Sequence, residues 1–88
     1  MKVKELILKN KSGLHARPAA VFVQTASKFK SKIIIKANNK EADAKSILKV
    51  LSLGANQGTK LILEVEGEDE EEALKTLSEL IELGLGED

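Results

Sequence analysis

The chain has no cysteine, one histidine, one proline and only two aromatic residues, Phe22 and Phe29, among its 88 residues. Without cysteine there is no disulfide framework, so regular packed secondary structure has to supply the stability. That demand is heavy, because a chain of this length buries only roughly 60–65% of its unfolded surface. A single histidine with no thiolate argues against a zinc site. The acidic run Glu68–Glu72 lacks the spaced oxygen ligands of a calcium loop, and acidic residues there suit a helix N-terminus, so no metal is expected. The 14 basic residues balance the 14 acidic ones, which excludes a general polyanion binder. Lys28, Lys30 and Lys32 form a basic cluster, but both phenylalanines fall on an apolar stripe predicted to be buried, which leaves no stacking platform for nucleic acid. These lysines read as a solvated surface. No apolar run reaches membrane-spanning length, and Met1–Glu5 leads into a strand-like stretch without an apolar leader, so the expected location is cytoplasmic. No glycine-rich phosphate loop and no serine–histidine–acid triad is evident, which argues against a self-contained small-molecule enzyme.

Hydrophobic residues at 42% and charged residues at 32% describe a folded soluble domain. Lys2–Lys9 alternates, with Leu6 and Leu8 on one face and Val3 and Ile7 on the other, and predicts a strand that ends in the turn composition Asn10–Gly13. From Ala19 the apolar positions Ala19, Phe22, Val23, Ala26 and Phe29 recur at helical spacing, with Pro18 in the first turn. Lys32–Lys36 encloses three isoleucines and predicts a strand, and Asn38-Asn39 suits a two-residue hairpin turn into a strand over Glu41–Ala44. Ser46 is placed to cap a short helix that ends near Gly54. Lys60–Glu66 alternates as a half-buried strand. Asp69 and Glu72 form a capping-box pattern before a helix that carries Ala73, Leu74, Leu77, Leu80 and Ile81. The order βαββαβα, with no linker or repeat, predicts one α+β domain over 1–88. It is an open-faced sandwich: a four-stranded antiparallel sheet with three helices on one face.

His15 stands in Ser12-Gly13-Leu14-His15-Ala16-Arg17-Pro18, just before a predicted helix start. Proline restricts the residue before it, so Arg17 is expected at the helix boundary, with the N–H groups around Ala16 and Arg17 lacking intrahelical partners. Such amides favour an anion, and a guanidinium offers forked donors to phosphate oxygens. A histidine at the reference pKa of about 6.5 is mostly neutral at pH 7, so a ring nitrogen is free to attack phosphorus without a separate base. From these residues alone, two readings stand: a phosphoryl acceptor and an ordinary exposed loop histidine. Ser46 likewise reads either as a plain N-cap or as a phosphorylation site. The helix it opens carries Ile47, Leu48, Val50 and Leu51, too many apolar groups for one inward stripe, so Leu48 at least is expected to face solvent, as scattered surface or as a docking patch.

Taken together, Gly13-Leu14-His15-Ala16-Arg17-Pro18-Ala19, Lys45-Ser46-Ile47-Leu48 and Ser52-Leu53-Gly54 resemble the histidine-containing phosphocarrier (HPr) family of the bacterial sugar phosphotransferase system. The likeness covers essentially the whole chain, including the histidine-to-serine spacing. It implies a stoichiometric carrier rather than an enzyme, with no cofactor: phosphorylated enzyme I passes its phosphoryl group to Nδ1 of His15, which hands it to the IIA domains of sugar transporters. It further implies that Arg17 steadies the phosphoryl group, that Ser12 and the amides at Ala16 help orient it, and that Ile47, Leu48 and Leu51 form a small transient contact surface. In many family members a kinase phosphorylates the serine matching Ser46, which slows transfer and creates a corepressor for a catabolite-control transcription factor. This chain departs from those members at Lys49, commonly glycine, and at Gln24 and Ser27, often basic. The alternative reading is a regulatory binding module acting through docking, either such a corepressor or a nitrogen-branch paralogue.

Overall fold

The structure is a computed structural model and describes residues 1–87. Its elements are β1 (Lys2–Ile7), α1 (Ala16–Ala26), β2 (Lys32–Ala37), β3 (Lys40–Asp43), α2 (Ile47–Leu51), β4 (Lys60–Glu66) and α3 (Glu70–Glu82). The βαββαβα order is as the sequence predicts. The strands form one antiparallel sheet in the order β1-β4-β2-β3.

Alternation along the strands sorts the sheet into two faces. Leu6 pairs with Leu61, and Ile33 and Ile35 pair with Val65 and Leu63; all six are buried under the helices. On the opposite, uncovered face, Val3 and Ile7 are exposed and Lys36 forms an ion pair with Glu64 at 2.9 Å. Asn38 and Asn39, at φ 53° and 64°, turn β2 into β3 in the left-handed conformation that a two-residue hairpin requires.

Helix α1 presents Pro18, Ala19, Phe22 and Ala26 to the core, and α3 presents Ala73, Leu77 and Ile81. Phe22 is fully buried, worth about 1.5–3 kcal/mol relative to exposure. Helix α3 packs on β1 and β4, α2 leans on β3, and α1 touches both other helices. Phe29 lies beyond the end of α1, partly buried against the core rather than on a continuing helical stripe.

Two expectations about helix ends need correction. Helix α1 starts at Ala16, with His15 as its N-cap, so Arg17 lies inside the first turn and not at its boundary. Leu14 is pinned in the core and Pro18 and Ala19 are buried, so the chain reverses within the few residues between them. Ala16 takes that reversal, at φ 50°. At α3, Asp69 makes no side-chain cap. Its carboxylate instead accepts from the Lys30 and Ser31 N–H groups, both at 2.9 Å, and from the Ser31 hydroxyl. The reciprocal cap forms two residues earlier, where the Gly67 N–H donates to the Glu70 carboxylate at 3.1 Å and the Glu70 N–H to the Gly67 carbonyl at 3.3 Å. Gly67 (φ 150°) also passes so near Ser31 that a Cβ there would stand 2.7 Å from the Ser31 Cα. A longer side chain at position 67 has no room, and Asp69 is thereby held over the Ser31 backbone.

Candidate functional site

The site forms where the loop after β1 meets the loop after α2. The Leu14 N–H donates to the Ala55 carbonyl at 3.0 Å, and both side chains are fully buried. The approach depends on Gly13: at φ 64° it takes the left-handed turn, and a Cβ would lie 2.5 Å from the Ala55 oxygen and 2.7 Å from the Asn56 Cα. With residues 14 and 55 joined, the next residue on each loop faces the other. His15 Nε2 lies 2.9 Å from Asn56 Oδ1.

An amide oxygen only accepts, so this contact places the ring proton on Nε2 and leaves the lone pair of a neutral ring at Nδ1. The His15 backbone is extended (φ −130°, ψ 159°) and its side chain makes no helix cap, which frees the half-exposed ring for other work. The N–H groups of Ala16 and Arg17 precede any intrahelical acceptor and open the helix's positive end, and both residues are exposed.

Beside them lies a shallow cavity of about 350 Å³ lined by Ser12, Ala16, Arg17, Pro18, Leu85 and Glu87, among others. The Glu87 carboxylate enters it, accepting from the Ser12 N–H at 2.8 Å, the Ser12 hydroxyl at 2.6 Å and Asn10 Nδ2 at 3.1 Å. The hydrogen bonds from the Ser12 hydroxyl and then from its N–H hold the Glu87 carboxyl below the usual carboxylate range. A negative group thus already occupies two donors of Ser12. A larger concavity of about 560 Å³, lined by the β2–β3 hairpin with Thr59, Lys60 and Ile62, shares no residue with this site. Among the described residues no group of three or more histidine, cysteine or carboxylate side chains could hold a metal ion.

Ser46 caps α2: its Oγ accepts from the Lys49 N–H at 3.4 Å, a long bond. Leu48 is 77% exposed, as its position on the helix predicts; Ile47 is 39% exposed and Leu51 is partly buried. Helix α2 leads through Ser52–Gly54 into the turn at Ala55–Asn56 that meets the His15 loop. Asn56 and Glu87 have no counterpart in the sequence reading. Asn56 stands in Ala55-Asn56-Gln57-Gly58, an ordinary turn composition, and Glu87 lies in a glycine-rich tail; neither carries a local signal of its partner.

The family described as the PTS HPr component phosphorylation site matches residues 2–82. The chain is 49% identical over 84 residues to the phosphocarrier protein HPr of Xylella fastidiosa, covering 96% of this chain and 94% of that protein. It is 46% identical to the HPr-like protein Crh of Halalkalibacterium halodurans, covering 90% and 94%. The crystal structure of HPr-C-His from Thermoanaerobacter tengcongensis superposes with a TM-score of 0.96 at 56% identity, covering 100% of this chain and 99% of that one. These matches place the chain among small proteins that carry phosphoryl groups, not among classical enzymes. The chain belongs to the HPr family, the phosphocarriers of the phosphotransferase system.

Proposed function

We propose that residues 1–88 act as one cytoplasmic phosphocarrier domain that takes a phosphoryl group onto Nδ1 of His15 from phosphorylated enzyme I and gives it to sugar-specific IIA domains. The observation that carries this reading is the His15–Asn56 contact, which commits Nε2 as a donor and leaves Nδ1 as the nucleophilic nitrogen. The incoming phosphoryl group meets the Ala16 and Arg17 amides at the start of α1, and the Arg17 guanidinium supplies forked donors to its oxygens. Ser12 joins them once its donors are released from the Glu87 carboxylate. Exposed Leu48 with Ile47 and Leu51 offers a small apolar contact, suited to partners that must dock and leave quickly. The test is a relay assay: phosphoenolpyruvate and enzyme I should label a IIA domain through the parent protein and not through His15→Ala. Equal labelling through His15→Ala would overturn the assignment.

A second reading rests on Ser46. A phosphate there would sit at the N-terminus of α2, next to Leu48, and would change the charge of the docking surface without entering the core. Under this reading a serine kinase and phosphorylase set the state of Ser46, and the phosphorylated form docks to a catabolite-control transcription factor. The likeness to Crh supports it. A Ser46→Asp variant that relays as fast as the parent, and gains no binding to such a factor, would remove its basis.

A further inference from the structure

We propose that Asn56 is a positioning residue for phosphoryl transfer: its side-chain oxygen fixes the His15 ring as the Nε2–H tautomer and holds that proton throughout the carrier cycle. This rests on the reading of His15 as the phosphoryl acceptor. The contact is Nε2 to Oδ1 at 2.9 Å, bridging 41 residues of sequence.

Asn56 is itself held. Its N–H donates to the Thr59 hydroxyl at 3.0 Å, and its carbonyl accepts from the Thr59 N–H at 3.0 Å, closing the turn that leads into β4. On the other side, the Leu14–Ala55 hydrogen bond and the close approach of Gly13 fix the histidine loop against this turn. Donor and acceptor are therefore aligned by backbone on both sides before any phosphate arrives, and their side chains need little further ordering.

The proton's position has a chemical consequence. When Nδ1 attacks phosphorus, the new P–Nδ1 bond forms from the ring's lone pair, while the bond between phosphorus and the donor protein's phosphorylated side chain breaks, its electron pair leaving with the donor. The ring becomes an imidazolium that still carries the Nε2 proton, and Oδ1 accepts a stronger, charge-assisted hydrogen bond from it. In the onward step the P–Nδ1 bond breaks, its pair returns to Nδ1, and a neutral imidazole leaves. Without the Nε2 proton the leaving group would be an imidazolate anion, a far poorer one. Asn56 thereby favours both the accepting tautomer and the transferable form, while the proton itself never moves.

The experiment compares the parent with Asn56→Leu and Asn56→Asp, the last retaining an oxygen acceptor. Asn56 is exposed, so the substitutions leave the core untouched. Ring ¹⁵N shifts are recorded for each unphosphorylated protein, and turnover with enzyme I is measured alongside. The parent should show Nε2 protonated and Nδ1 as the lone-pair nitrogen. In Asn56→Leu the two ring shifts should move toward each other, and kcat should fall about fivefold with KM little changed. Asn56→Asp, recorded at a pH high enough to keep its ring neutral because a carboxylate beside Nε2 favours the charged form, should return the ring shifts to those of the parent. An Asn56→Leu protein with the parent's ring shifts and kcat would overturn the proposal, as would an Asn56→Asp protein whose ring behaves like Asn56→Leu. If the parent itself accepts no phosphoryl group, the carrier reading fails, and the ring shifts alone then decide whether Asn56 sets the tautomer.

Discussion

Ser12 is bound through both its N–H (2.8 Å) and its hydroxyl (2.6 Å) by the carboxylate of Glu87, 75 residues further along the chain. If the Ser12 donors serve the phosphoryl group, a carboxylate resting on them competes for them. Replacing Glu87 with alanine should therefore speed acceptance onto His15, by roughly threefold to fivefold if one hydrogen bond's worth of competition is relieved. Stopped-flow transfer from phosphorylated enzyme I measures it. An unchanged rate would mean that the Ser12 donors take no part in the transfer.

Gly13→Ala should be among the most damaging single substitutions. The added Cβ would meet the Ala55 oxygen at 2.5 Å and would impose strain at φ 64°, so a loss of roughly 2–4 kcal/mol is expected in urea or thermal unfolding. In the fraction that folds, the two loops would be forced apart and the His15 ring would no longer reach Asn56. A melting temperature within a degree of the parent would show that the loops can separate freely.

Leu48→Asp should leave stability within about 0.5 kcal/mol of the parent, because the side chain is 77% exposed. It should raise the KM for enzyme I by about tenfold while altering kcat much less, since a docking surface acts on encounter and not on the ring. A KM equal to the parent's would remove α2 from the contact surface.

The Asp69 carboxyl is held at about 2, chiefly by the Ser31 hydroxyl and then by the Lys30 N–H. Because the folded value lies below the ordinary one, the stabilisation is fully present above pH about 4. It is lost as the pH falls from there through about 2. Thermal melts of the parent should weaken across that window. Asp69→Asn should melt lower than the parent at pH 7, and its decline between pH 4 and 2 should be shallower. Parallel pH profiles for the two proteins would contradict the assignment.

The strands and apolar stripes were legible because local periodicity and burial agree. Leu6 and Leu8 read as one face of a strand from alternation alone, and both are buried, while Asn38-Asn39 announced its own turn. Helix ends were less legible, since tertiary contacts decide them. Asp69 carries the composition of a cap, yet its carboxylate is drawn across the fold to Ser31, and the reversal before α1 falls on Ala16 because Leu14 and Pro18 are both anchored. At the site, His15 and Arg17 stand in one short motif, which singles them out as candidates. Asn56 and Glu87 reach the same place from loops 41 and 75 residues away from their partners, and nothing in their own surroundings names those partners.

If His15 is the acceptor, the phosphoryl group should sit on Nδ1. The most direct measurement is to load the ¹⁵N-labelled protein with phosphoenolpyruvate and enzyme I, then follow it by intact mass and by ³¹P–¹⁵N NMR. The account predicts one added phosphoryl group, lost in acid, coupled to Nδ1 of His15 and absent from His15→Ala. It would be contradicted by a phosphoryl group coupled to Nε2, by an acid-stable group on Ser46, or by no uptake while a known carrier is loaded in parallel.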